Sequence, residues 1–174
     1  MYGSLPGICY LRLGYSGWPI ESAGWSKQCD YGVSNLKLQK ILYFIQAYFL
    51  INSREKEPCF LERIEAWDLG PVVPEAYREY KQYGGGDIPS ITAYFKFDEG
   101  NLWNCEKIPY EDNVITEEDC SLIDEVVDRF STYTATDLVN LTHQQAPWKK
   151  AYIPNMNNEI TVEAIKEYFD EEEN

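Results

Sequence analysis

Histidine is almost missing from this chain: among 174 residues the single imidazole is His143. Five cysteines, Cys9, Cys29, Cys59, Cys105 and Cys120, are dispersed, and no two form a CxxC pair. That leaves no zinc-type ligand set, so neither a metal nor a cofactor is expected. An odd number of scattered thiols reads as reduced cysteine in a cytoplasm. Basic charge is scarce too. Fifteen Lys and Arg stand against 29 Asp and Glu, a net charge of −14, and the tightest basic pair is Lys149–Lys150. A phosphate backbone would repel such a chain, which excludes direct nucleic-acid binding. The longest greasy stretch, residues 41–51, falls short of the roughly 17–25 residues that a bilayer span needs. The N-terminus shows no basic region followed by an apolar run, so no membrane association and no signal peptide are expected. There is no P-loop, GxGxxG, HExxH or GxSxG. A helix-turn-helix with a basic recognition helix and an internal repeat are missing as well.

What is present suits one globular domain: 44% apolar and 15% aromatic residues over this length allow a substantial core. The acidity either confers solubility alone or suits a basic partner, whose encounter it would speed. The stretch 34–52, SNLKLQKILYFIQAYFLIN, organises the rest. Ser34 is a good N-cap, and neither Gly nor Pro occurs from Asn35 to Asn52. Leu38, Ile41, Leu42, Ile45 and Phe49 recur at helical spacing. From Ile41 to Ile51 only Gln46 is plainly polar, which predicts a central helix packed by several others. Asn35, Gln39 and Gln46 form a narrow amide stripe beside the apolar face. It is either a hydrogen-bonded seam within the core or a partner-contact edge. Lys37 and Lys40 project to the side away from the apolar stripe.

Residues 1–32 are cut by six glycines and two prolines and read as an irregular segment, with Trp18 and Trp25 packing some of it on the core. The predicted fold class is mainly α with a small β-hairpin, an α+β single domain around the central buried helix. Residues 59–67 alternate weakly, as a short strand would. Gly70–Pro71 marks a turn. Pro74 and Glu75 open a helix whose Tyr77, Tyr80 and Tyr83 recur every three residues, and Gly84 to Gly86 end it. Residues 91–97 and 101–108 predict a hairpin. Thr116 with Asp119 and Thr134 with Asp137 are helix-start pairs. Pro147 begins a short helix, and Thr161 caps a last one that turns Val162, Ile165, Tyr168 and Phe169 inward. Residues 171–174 form an acidic tail.

Catalytic candidates are few. His143 would need a nucleophile and an orienting acid beside it. The reading that competes with catalysis is a histidine bonded to a nearby backbone carbonyl or a helix end. Glu62, Glu65 and Asp68 fit no carboxylate motif. No enzymatic activity is expected, with a small enzyme using His143 or Glu65 as the remote alternative.

As a set, residues 34–50, 64–84 (IEAWDLGPVVPEAYREYKQYG), 141–152 (LTHQQAPWKKAY) and 160–169 (ITVEAIKEYF) resemble the SocA-like antitoxin family, the Panacea domain, often found in phage-associated proteins. The resemblance covers roughly residues 33–170 and departs from the family pattern before residue 33, where glycines and prolines replace a regular amphipathic helix. It implies an antitoxin that neutralises a protein toxin, usually encoded by an adjacent gene, by direct contact, with homo-oligomers compatible. One branch resembles a protease adaptor that delivers its client for degradation, so a protease is an alternative partner. The residues placed at the partner contact are Lys37, Gln39, Lys40, Tyr43, Trp67, Gly70, Pro71, Tyr77, His143 and Trp148. Core packing competes for Trp67 and Trp148, and turn geometry for Gly70 and Pro71. Charge reversal at Lys37 and Lys40 is expected to weaken neutralisation and leave thermal stability nearly unchanged.

Overall fold

The structure, a computed structural model, describes residues 32–53, 57–89, 93–98, 101–109 and 116–172, with 93–98 and 101–109 described as backbone. The expectations for residues 1–31, including Trp18, Trp25, Cys9 and Cys29, and for residues 173–174 lie outside the described residues, as does the side chain of Cys105.

Helix α1 runs Asn35–Asn52. The Ser34 hydroxyl accepts from the Lys37 N–H at 3.3 Å, which satisfies one of the free donors of the first turn. Tyr43, Ile45 and Ala47 are fully buried, and Leu38, Ile41, Leu42, Phe44 and Leu50 nearly so. Each large apolar side chain there stabilises the fold by about 1.5–3 kcal/mol. The helix is buried on all sides because helices pack on it from several directions. These are α3 (Glu117–Phe130), α4 (Ala135–Gln144) and α6 (Val162–Glu172), joined by α2 (Pro74–Tyr80). Phe44 stacks on Phe130 of α3 at 4.2 Å between ring centroids, and Tyr43 meets Phe169 of α6 edge-on at 6.1 Å. A short helix, α5 (Ala146–Ala151), joins α4 to the chain before α6.

The β part has two pieces. Strands β1 (Ile64–Trp67), β2 (Gly70–Val72) and β5 (Glu159–Ile160) form an antiparallel sheet in the order β2-β1-β5. Its register sets Trp67 against Gly70, Glu65 against both Val72 and Glu159, and Ile64 against Ile160. Strands β3 (Ala93–Asp98) and β4 (Asn101–Pro109) make a separate hairpin with a register shift between Phe97 and Asp98. The fold is therefore mainly α with a small β part, as the sequence predicts.

The helix-start pairs behave as their chemistry requires. Thr116 accepts from Asp119 N, and Thr134 with Asp137 forms a full capping box. The amide stripe is a core seam. Gln39 donates to Asn35 Oδ1 at 2.9 Å and accepts from Val73 N at 2.9 Å. Gln46 both donates to Phe60 O and accepts from Phe60 N. Two amides thus supply hydrogen bonds to backbone that has no helical or sheet partner at those points.

Three expectations need correction. Lys37 and Lys40 do not lie on an open side of α1; they are 5% and 0% exposed, because α3 and the β1–β2 hairpin cover the face opposite the apolar stripe. Gly70–Pro71 is not the turn itself. The two-residue turn is Asp68–Leu69, and Gly70 and Pro71 open strand β2. Proline is tolerated there because β2 is an edge strand. Val162 sits at the exposed start of α6 and does not turn inward. The acidic end is partly helical, since α6 continues to Glu172.

Candidate functional site: the face around the first hairpin

Strands β1 and β2 meet in the tight turn Asp68–Leu69, and side chains from four helices converge beneath and beside it. Gly70 has φ +97°, a conformation that costs other residues strain. A Cβ there would lie 2.8 Å from Thr142 Oγ1 and 2.9 Å from Lys40 Cε. The glycine therefore serves both the backbone angle and the close approach of α1 and α4. Lys40 Nζ donates to Pro71 O at 2.8 Å from beneath. Burial lowers the Lys40 amine from 10.5 to about 7.

Aromatic rings continue this arrangement outward. His143, in the last turn of α4, stacks on Trp148 of α5 at 4.0 Å and 17°. Trp148 stacks in turn on Tyr152 at 4.5 Å and 16°. Trp148 Nε1 donates to Trp67 O at 3.0 Å, and Tyr152 donates to Asp68 Oδ1 at 2.8 Å, so the stack is fastened to the start of the turn. That bond to the Asp68 carboxylate raises the Tyr152 hydroxyl above its usual range. Trp67 packs edge-on against Tyr77 of α2 at 4.9 Å, and its Nε1 donates to Glu65 Oε2 at 2.8 Å. Glu65 also pairs with Arg63 at 3.0 Å. Burial, then the nearby Lys40, hold the His143 imidazole below 6.5, against a hydrogen bond with the Asp68 backbone. These neighbours hold the ring; they are not the acid and thiol that nucleophilic catalysis by histidine needs.

Of the residues singled out from the sequence, Gln39, Lys40, Trp67, Gly70, Pro71, Tyr77, His143 and Trp148 gather around this hairpin. Lys37 and Tyr43 do not join them. Lys37 Nζ donates to Ser131 O at 2.8 Å, at the C-terminal end of α3. Tyr43 is core, its hydroxyl raised by burial and by Tyr168. Sequence reasoning passed over Thr142, Tyr152 and Leu69, and weighed Asp68 only as part of a carboxylate motif. A signal existed for Tyr152, four residues after Trp148, the spacing that puts two rings on one helical face. Exposed apolar side chains are Leu69 on the turn and Ile153 and Met156 in the loop after Tyr152, at 56%, 52% and 61%. That loop runs beside β1, since Ala66 N donates to Asn158 O at 2.8 Å.

The arrangement defines a helical scaffold whose first hairpin is held by an aromatic stack, with Trp148 itself buried in the core. The family described as "Antitoxin SocA-like, Panacea domain" matches residues 38–149, and the chain belongs to that family. Among curated proteins it is similar to "Antitoxin SocA" of Caulobacter vibrioides (strain NA1000 / CB15N), 42% identical over 55 residues, which is 32% of this chain. The match spans 28% of that relative's length. No solved structure matches the chain. Among the described residues no helix is long and apolar enough to cross a membrane.

Proposed function

We propose that the chain is an antitoxin that neutralises a protein toxin by direct binding, using the face around the Asp68–Leu69 turn. The observation that carries this reading is convergence. Trp67, Tyr77, His143, Trp148 and Tyr152 come from distant segments, yet they assemble around one hairpin, and Leu69 on its turn and Ile153 and Met156 in the loop after Tyr152 are exposed. Aromatic residues and Met over a hydrogen-bonded base are what protein interfaces favour, and their energy concentrates in such rigid anchors. Family membership supplies the class of partner. The net charge of −14 suits a toxin whose own active surface is basic because it handles RNA or nucleotides; the antitoxin would steer to that surface and mask it.

Co-expression with the adjacent gene tests the reading, scoring growth rescue and co-purification. The double variant Leu69→Asp with Met156→Asp changes two exposed side chains and leaves the buried ties intact. It is expected to lose rescue and co-purification while its circular dichroism and melting temperature stay close to those of the parent. Full rescue by that variant would move the toxin contact elsewhere on the protein.

A further inference from the structure

Lys40 places a titratable amine inside the core. Its side chain is fully buried, and its Nζ donates to Pro71 O at 2.8 Å. An ammonium carries three donors and no acceptor, whereas a neutral amine carries two donors and a lone pair. Among the described residues no carboxylate pairs with Lys40. A second unmet group lies beside it: His143 Nε2 is buried with no hydrogen-bond partner.

The carboxylates of the turn and of β1 are committed elsewhere. On α1, Lys37 donates to Ser131 O, and Tyr43, whose ring packs on Phe169 of α6, keeps a buried hydroxyl that has no hydrogen-bond partner among the described residues. On the turn, the Asp68 carboxylate accepts from Tyr152. On β1, Glu65 is held by Arg63 and Trp67. On α4, the Thr142 hydroxyl is shared between Leu138 O and Val139 O at 3.0 Å each. Lys149 and Lys150 of α5 are exposed, and β2 offers backbone. Among the described residues no acid is paired with Lys40 or His143.

We propose that Lys40 and His143 form a pH-gated latch under the β1–β2 turn, closed while Lys40 is an uncharged amine and loosened when the pair takes up a proton. The turn is where charging is felt, because Pro71 O is the acceptor for Nζ and Gly70 lies against the end of the Lys40 side chain. The direction follows from linkage. Unfolded, Lys40 takes its proton at about 10.5; folded, it does so at about 7. The unfolded chain therefore holds more protons between these values, and stability falls as pH drops from 10.5 to about 7. His143, held below 6.5, adds a further loss of the same sign as pH drops through 6.5. The same turn carries Asp68 and Leu69, so loosening it would weaken toxin binding at low pH. That consequence rests on the proposed partner face; the latch itself does not.

The test is native-state hydrogen exchange of the unaltered protein between about pH 6 and pH 9, corrected for the intrinsic pH dependence. Protection of the Gly70 and Val72 amides is expected to fall at least about tenfold on acidification across that range. In Lys40→Met, which keeps the length and drops the charge, that dependence is expected to vanish. Equal protection across the range, or the same pH slope in both proteins, would overturn the latch. Should Lys40→Met not fold, NMR titration of the lysine side chains in the unaltered protein decides. A Lys40 signal titrating near 7 supports the latch, and one near 10.5 refutes it. Loss of toxin binding with the latch intact would instead count against the partner face.

Discussion

Replacing Gly70 by alanine probes how the hairpin is seated on the helices. Two costs act together. The φ of +97° disfavours any side chain by about 1–3 kcal/mol. The new methyl would also come within 2.8 Å of Thr142 Oγ1, 2.9 Å of Lys40 Cε and 3.1 Å of Lys40 Nζ. Neither neighbour gives way easily. Thr142 is β-branched, fully buried and bonded twice to its own helix, and Lys40 has no solvent-exposed route along which to swing. Overpacking of this kind costs about 1–3 kcal/mol. The sum is about 2–6 kcal/mol, to be read from urea unfolding with the slope unchanged. A cycle separates the terms. In a Thr142→Ala background the methyl has room on one side, so Gly70→Ala is expected to cost less there, by about 1 kcal/mol or more. A loss below about 1 kcal/mol for Gly70→Ala alone would refute the close approach of α1, α4 and β2.

Three further variants address the burial of polar side chains on α1. Lys37→Met removes the bond to Ser131 O, which caps the end of α3, and is expected to cost about 1.5–3 kcal/mol. Lys37→Glu would cost more, so charge reversal there lowers the melting temperature instead of sparing it; an unchanged melting curve would contradict the burial. Gln46→Leu leaves both the N–H and the C=O of Phe60 without their partner and is expected to cost about 2–4 kcal/mol in chemical denaturation. A change under about 0.5 kcal/mol would show that the backbone at Phe60 finds other partners.

The parts of this fold that were legible in the sequence rest on short-range chemistry. Ser34, Thr116 and Thr134 each start a helix through bonds that span three residues. The unbroken greasy run of α1 implied neighbours on several sides, and the structure supplies them. The reading of Lys37 and Lys40 failed for the complementary reason. A helical projection tells which residues share a direction, but not whether that direction is covered. The Gly70–Pro71 pair did announce a break in the chain. The pairing of Trp67 with Gly70 then set the turn one step earlier, and pairing register is a property of two strands, not of one dipeptide.

The candidate site divides in the same way. The segments that build it could be recognised one by one, and their joint resemblance pointed to the antitoxin family without any coordinates. The indole of Trp148 donating to Trp67 O across 81 residues could not be foreseen, nor could Lys40 lying sealed beneath Pro71.

From its amino acids alone this chain determined where helices begin, which of them is central, and that its net charge repels phosphate backbones. Those properties depend on local hydrogen bonds, on the periodicity of apolar side chains and on summed charge. Which polar groups are buried, which aromatic rings meet, and which apolar side chains stay exposed were decided by tertiary packing. Burial and contact are set by what folds over a residue, and here the covering segments come from far along the chain.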